Sequence, residues 1–462
     1  MRIRHLVPAL LVVGSIACDS DSVLDLDPTT SVPEEQAIVD AATARAALAG
    51  AYNALQDTDQ GYYYAETFVD FGDLLTDNTE HSGTFTSYLD ADANDVTADN
   101  GAVEGMWDNI YEAINRANVL LEKLPTVPGL ADAERTNMLG QAYFLRALHY
   151  HNLVKHWGGN SDLGVPLRLA PVKDIIEASN ITRASRSDVY TQIVGDLQEA
   201  ERLLANAPDD TRRASLRAVK AIQARVHLYR RDWAAAVTAA DAVLAGHSLA
   251  PEYADLFTAE GSDTPEDIFR IVYNAQERNY LGYYYLSDTF GGRYEVAPTT
   301  NLFNAYEAGD ERRGVTIAVD GAGNLFGVKY PSGAGTEHVH VIRLAEVMLI
   351  KAEALAMQDL LGQAVDAYNP IRTRAGLQAH ILGITVPNTR QGVLDAIWKE
   401  RRLELALEGD RLADLVRSDR FVQVMGLPAT RAFQALYPIP QNEIDVTRGP
   451  DGQPRLTQNP GY

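Results

Sequence analysis

One cysteine, Cys18, stands in a chain of 462 residues. An intrachain disulfide is therefore impossible, and packing and polar contacts must hold the fold. Basic residues are also scarce: 40 Lys and Arg face 63 Asp and Glu, giving a formal net charge of −23. A surface of that sign repels phosphate backbones and argues against nucleic acid as a partner. The acidic residues are spread along the chain rather than gathered in a tail, so they do not signal disorder. Beyond the N-terminus, no apolar run approaches the roughly 20 residues of a membrane-spanning helix. The sequence carries no phosphate loop, no dinucleotide fingerprint and no Ser/His/Asp pattern in a motif context. No cofactor is expected.

The N-terminus explains the single thiol. Arg2 and Arg4 precede an apolar run from Leu6 to Ile16, and Ser15-Ile16-Ala17 leads into Cys18. This is the layout of a secretory signal, here residues 1–17, with small residues at the cleavage point. A cysteine just past that point resembles a bacterial lipobox, although lipoboxes prefer Leu where Ser15 stands. An ordinary secreted protein is the alternative. The stretch 18–33 is polar with two prolines and reads as an extended tether. Its acidic start, Asp19-Ser20-Asp21, resembles the surface-export signals of Bacteroidetes-type lipoproteins. Lipid on Cys18 would be the only anchor, placing the protein at the cell outer membrane, facing outside.

Helical periodicity dominates the chain beyond the tether. Trp107, Ile110, Tyr111, Ile114, Ala117, Leu121 and Leu124 recur at three- and four-residue steps, one buried helical face ending at Pro125. Further helices are expected over about 133–156, 188–204, on both sides of Arg231-Asp232, and over 342–357, 361–374 and 393–407. An internal echo places Val237 thirteen residues after Ala224, and Val365 thirteen after Ala352, with small residues between. Two helices that approach closely through alanines, joined by a short turn, resemble a tetratricopeptide repeat. The fold class is therefore mainly α: a tetratricopeptide-like scaffold over about 34–60, 102–250 and 338–462. A loop-rich lobe with a few short strands, one at Ile268 to Tyr273, is expected over about 61–101 and 251–337.

Loops of that length in a compact domain usually carry function, and these hold clustered tyrosines. Tyr62, Tyr63, Tyr64 and Tyr88, with Phe85, lie in the first; Tyr280, Tyr283, Tyr284, Tyr285 and Tyr294, with Phe290 and Arg293, lie in the second. Tyrosine offers a flat apolar face and a polar tip. That suits sugar rings, whose C–H faces stack while their hydroxyls seek hydrogen bonds. The bland reading of any one of them is a half-buried loop anchor. The four tryptophans fall in or beside helices, so stacking should fall to tyrosine.

No catalytic residue and no metal are expected. Glu400, Glu404 and Glu408 lie at four-residue steps on one helical face, with Arg401, Arg402 and Arg411 nearby. Glycoside hydrolysis needs two opposed carboxylates flanking a sugar, whereas carboxylates lined among arginines read as an ion-pair network. His149 and His151, two apart on a helix, cannot share a metal. His338 and His340 could share a strand face but lack a third ligand.

The chain resembles the SusD/RagB family of outer-membrane lipoproteins. The likeness rests on Trp107-x-x-Ile110-Tyr111-x-x-Ile114-x-x-Ala117-Asn118, on Gln141-Ala142-Tyr143-Phe144-Leu145-Arg146-Ala147 with Gly164-Val165-Pro166-Leu167, and on Arg343-x-Ala345-Glu346-Val347-x-Leu349-Ile350-x-Ala352-Glu353-Ala354. Asn369-x-Ile371-Arg372-x-Arg374-Ala375-Gly376-Leu377 and Glu400-Arg401-Arg402-x-Glu404 with Glu408-Gly409-x-Arg411 come next in the chain, then Tyr437-Pro438-Ile439-Pro440 and Gln458-Asn459-Pro460-Gly461-Tyr462. The resemblance implies four tetratricopeptide-like helix pairs with a SusD-like domain over 34–462. It also implies oligosaccharide binding and delivery to a TonB-dependent, SusC-like transporter. A peptide or other polymer as cargo keeps the same architecture; a lipid-anchored hydrolase and a purely structural adaptor are the further alternatives.

Overall fold

The computed structural model describes residues 38–172, 179–259, 261 and 263–462. The signal, Cys18 and the tether lie outside the described residues. The first helix, α1 (Ala41–Gln56), is rich in alanine and starts on a capping box in which Asp40 and Thr43 satisfy each other's backbone N–H groups. It ends at Asp57, a non-glycine residue in the left-handed conformation. Two short helices come after it, α2 (Thr67–Leu74) and α3 (Thr86–Asp92), with strand β1 (Thr79–His81) between them. These were not evident in sequence: α2 is only eight residues long and buries its polar Asp70 and Asp73 along with its apolar residues.

The scaffold then runs through α4 (Gly101–Lys123), α5 (Asp132–Leu153), α6 (Arg186–Leu203), α7 (Leu216–Arg230) and α8 (Trp233–Leu244), each packed against the next. Of the expected face of α4, Trp107, Ile110, Ile114 and Ala117 are buried, as is Leu124 just past the helix end, whereas Tyr111 and Leu121 are half-buried and Leu120 lies inside instead. Arg146 of α5 donates to both carboxylate oxygens of Asp196 on α6, at 2.8 and 2.7 Å, and to Asn118 of α4 at 2.9 Å. One guanidinium thereby ties three helices. A π turn, Val154–Gly158, ends α5 earlier than its sequence suggests.

After strand β2 (Asp267–Ile271) come the short helix α9 (Leu281–Tyr285) and strands β3 (Val296–Pro298), β4 (Ile317–Val319), β5 (Leu325–Gly327) and β6 (Val339–Arg343). They form three antiparallel two-stranded sheets, β1–β3, β2–β6 and β4–β5. The chain returns to the scaffold with α10 (Leu344–Met357), α11 (Leu361–Arg374), α12 (Arg390–Glu404) and α13 (Arg411–Arg417). The expected helix from 342 starts at Leu344 because the preceding residues pair in β6. The helix expected to 407 stops at Glu404, and Leu407 at φ 64° reverses the chain before Gly409.

The thirteen-residue echo proves structural. Ala224 and Ala236 of α7 and α8, and Ala352 and Ala364 of α10 and α11, are fully buried at the helix crossings. The echo extends to the turns: seven residues after each leading alanine stand Arg231 (φ 62°) and Asp359 (φ 61°), both left-handed. The two hairpins pack together through α8 and α10.

The carboxylates of the 400 segment sit in a buried ion-pair network. Glu404 pairs with Arg312, Arg343 and Arg374, Glu400 with Arg312 and Arg372, and Glu408 with Arg343 and Lys329. The partners differ from those expected. Arg401 pairs with Glu346 and Asp414, while Arg402 and Arg411 share Asp77. Glu408, beyond the helix end, does not share its face. His340 meets Asp267 at 2.8 Å across the β2–β6 pair.

Candidate functional site

The two tyrosine-bearing stretches meet. The Tyr280 N–H donates to the Ala65 carbonyl at 2.8 Å. Glu295 accepts from the N–H groups of Thr84 and Phe85 at 2.7 and 2.6 Å, and Ser82 donates its hydroxyl to the Tyr294 carbonyl at 2.8 Å. The β1–β3 pair continues the seam. Asn279 presents its side-chain oxygen to the Leu281 N–H at 3.0 Å and so sets the start of α9, the helix that carries the second tyrosine run.

This seam builds an aromatic platform. The rings of Tyr280 and Tyr284 lie nearly parallel with centroids 6.1 Å apart, and Tyr283 lies 5.7 Å from Tyr284. Phe85 and Tyr88 meet Tyr284 edge-on at 5.7 and 6.3 Å. The Arg293 guanidinium sits 4.1 Å over the Phe85 ring, donating to Glu295 at 2.8 Å and to the Thr84 hydroxyl at 2.8 Å. Tyr280 and Tyr283 are each 37% exposed, whereas Tyr284 is 8% exposed and acts as the backing between them.

Beneath the platform lies a pair of carboxyl groups that sequence reading overlooked. The Tyr88 hydroxyl lies 3.2 Å from Glu66 and 3.1 Å from Asp70. Burial pushes Glu66 up to about 8, and burial with the Glu66 charge holds Asp70 well above the carboxylate range. The four-residue spacing of Glu66 and Asp70 was the available signal. Asp70 is fully buried, so the two carboxyls cannot flank a sugar as a glycosidase pair must.

The remaining candidates fall elsewhere. Tyr63 is fully buried, with its hydroxyl 3.0 Å from His149 and 2.7 Å from the Asn152 amide, and Asn152 also donates to the buried Tyr64 at 3.0 Å. Tyr88 is buried at 2% exposure. Tyr285 is fully buried against Tyr330. None of these four offers a ring face to a ligand, because a tyrosine run on tightly packed backbone turns most of its rings inward. Tyr62 is half-buried over Gly105 of α4, where a Cβ would strike its ring. Tyr294, at φ 54°, donates its hydroxyl to the Leu325 carbonyl at 2.9 Å and so anchors its loop to β5.

The C-terminal sequence motifs serve the frame. Trp157 donates its indole N–H to the Pro438 carbonyl at 2.9 Å, and Asn459 bonds the carbonyls of Trp157 and Tyr437 at 3.0 and 2.8 Å. Gln458 and Ile439 exchange two hydrogen bonds of 2.7 Å.

Comparison with known proteins agrees with this architecture. Residues 23–228 match a family described as "Starch-binding associating with outer membrane", and residues 326–462 match the SusD family. The chain is 28% identical to SusD-like protein P38 of Formosa agariphila, over 90% of this chain and 92% of that one. It is 24% identical to the starch-binding protein SusD of Bacteroides thetaiotaomicron, over 73% of this chain and 75% of the other. Among solved structures, a SusD superfamily protein from Bacteroides vulgatus superposes with a TM-score of 0.80 at 20% identity, covering 92% of this chain and 99% of that one. A laminarin-binding SusD-like protein gives 0.76 at 25% identity, over 92% and 100%. The chain belongs to the SusD/RagB family.

Proposed function

We propose that the chain is a cell-surface lipoprotein, anchored in the outer membrane by lipid on Cys18, that captures neutral oligosaccharides. It hands them to a SusC-like TonB-dependent transporter and performs no catalysis. The observation that carries the ligand class is the half-exposed pair Tyr280 and Tyr283 on the rigid backing of Tyr284 and Phe85. Two half-exposed rings, with centroids 6.1 and 5.7 Å from that of Tyr284, suit stacking on pyranose rings. Arg293, 36% exposed at the platform edge, supplies a hydrogen-bond donor for hydroxyls. Starch and laminarin, named for two relatives, are both neutral glucans. A net charge of −23 repels polyanions from the surface at large and favours neutral cargo.

The test is to change Tyr280 and Tyr283 to Ala singly and titrate each variant with the best-binding neutral oligosaccharide. Losing one stacked face, worth about 1–2 kcal/mol by area, should weaken binding roughly tenfold. Tyr62→Ala should weaken it less, because that ring packs on α4. Two platform variants that bind like the unaltered chain would place the site elsewhere.

A further inference from the structure

A cleft between α1 and β2 has a different chemistry from the tyrosine platform. Its volume is about 280 Å³, and Tyr52, Gln56, Arg212, Arg213 and Arg270 are among its lining residues. Its walls are pinned. The Arg270 N–H donates to the Thr211 carbonyl at 2.8 Å, the Ala214 N–H to the Tyr52 hydroxyl at 2.8 Å, and the Gln56 amide to the Val272 carbonyl at 2.6 Å. The turn that carries Arg212 and Arg213 is thus fixed to both sides, and little ordering is left for a ligand to impose.

These arginines are matched differently from others in the chain. Arg417 takes Glu353 through two nitrogens, and Arg225 takes Glu346. Arg213 instead lies 4.2 Å over the Tyr52 ring, and its Nη1 is buried without a hydrogen-bond acceptor among the described residues. A buried guanidinium N–H left without an acceptor is costly, and an oxyanion, carboxylate or sulfate ester, is the group that answers it best. Among the described residues the Arg212 side chain pairs with Asp263, at 3.5 Å, in a pair whose side chains are 55% and 67% exposed. Arg270, paired with Asp263 and Asp267, completes the wall. Burial and the Arg212 charge draw Arg270 down to about 10, and burial with Arg270 and Arg212 draws the neighbouring His338 down to about 4. Burial is the larger cause of both shifts, and the neighbouring arginine charges add to it. The cleft's own carboxylates are engaged: Asp210 accepts the Arg212 N–H at 2.8 Å, and Glu277 accepts from Asn274 at 3.1 Å.

We infer that this cleft binds an oxyanion carried on an oligosaccharide, a uronate carboxylate or a sulfate ester, with Arg213 as principal donor and Arg212 as the second. The oxyanion chemistry rests on the geometry of the cleft; the saccharide as its carrier rests on the proposed role in nutrient capture. Such a site would extend the cargo from neutral oligosaccharides to singly or sparsely charged ones, at a distinct place where clustered arginines offset the overall charge of −23.

The test is calorimetric titration of the detergent-purified full chain with trigalacturonic acid, with galactose 6-sulfate and with triglutamate. At about 20 mM salt one of the two saccharides should bind, and about 200 mM salt should weaken it strongly. Whichever binds identifies the oxyanion. Arg213→Gln should weaken that binding about tenfold or more, as loss of a charge-assisted contact does. Arg212→Gln, at an exposed position that does not threaten the fold, should weaken it several-fold with an unchanged melting temperature. Tyr283→Ala should leave it intact. The inference is overturned if neither saccharide binds at millimolar concentration, if both arginine variants bind normally, or if triglutamate binds as tightly as the better saccharide. Anion binding that persists in a chain without affinity for neutral glucans would uphold the cleft and sink the platform reading instead.

Discussion

At the scale of single residues, buried ionisable groups make stability depend on pH in two opposite senses. Burial raises Glu66 to about 8, and Asp73 and Glu337 to about 7. A raised carboxyl contributes stability that is complete below its unfolded value and is lost as pH rises through the folded value. Glu346 and Glu408, although desolvated, are drawn down to about 2, by Arg225 and Arg401 for the first and by Arg343 and Lys329 for the second. Their contribution is complete above the unfolded value and is lost as pH falls toward 2. Through these carboxyls the melting temperature should fall as pH rises from about 4.5 to 8, and should fall separately as pH drops from about 4.5 to 2. Glu66→Gln, which cannot ionise, should flatten the alkaline decline; an unchanged alkaline limb in that variant would show that Glu66 does not cause it.

At the scale of elements, the helices were legible and the lobe was not, for physical reasons. Long amphipathic helices such as α4 display their buried face as a three- and four-residue period, and the hairpins α7–α8 and α10–α11 repeat their alanines at equal spacing. The short α2 buries its polar Asp70 and Asp73 together with its apolar residues, so two acidic residues that read as exposed loop in sequence lie inside the structure. In the tyrosine runs the stretches were recognisable, but their side chains could not be sorted: Tyr284 and Tyr285 are neighbours, yet one backs the platform and the other lies under it. The carboxylates of the 400 segment were readable as structural, although their partners were not, because Arg312, Arg343 and Arg374 arrive from distant parts of the chain. Glu404 joins those three elements at zero exposure. Removing its charge takes one carboxylate from each of three buried guanidiniums, although Arg312 keeps Asp310 and Glu400, Arg343 keeps Glu266 and Glu408, and Arg374 keeps Glu266. Breaking such a buried network costs about 3–5 kcal/mol. Glu404→Gln should therefore lower the melting temperature markedly while oligosaccharide affinity, measured where the variant is folded, stays nearly unchanged. A stable variant with lost binding would make Glu404 part of the site.

At the scale of the whole molecule, a helical frame carries an aromatic platform where two loop-rich stretches meet, the proposed binding site, and lipid on the N-terminus would supply the anchor. No helix among the described residues is long and apolar enough to cross a membrane. If the lipid supplies the attachment, Cys18→Ala should release the protein from the outer membrane in cells lacking the transporter partner, as seen by fractionation. Retention equal to that of the unaltered chain would contradict lipidation at Cys18. The central claim is that neutral oligosaccharides bind by stacking. It is tested most directly by calorimetric titration of neutral glucan oligosaccharides into the purified chain at low and high salt. Stacking and neutral hydrogen bonds are weakly screened, so saturable binding is predicted, with an affinity that changes by less than about twofold between the two conditions. Absence of binding to any neutral oligosaccharide, or affinity that collapses as salt is raised, would contradict it.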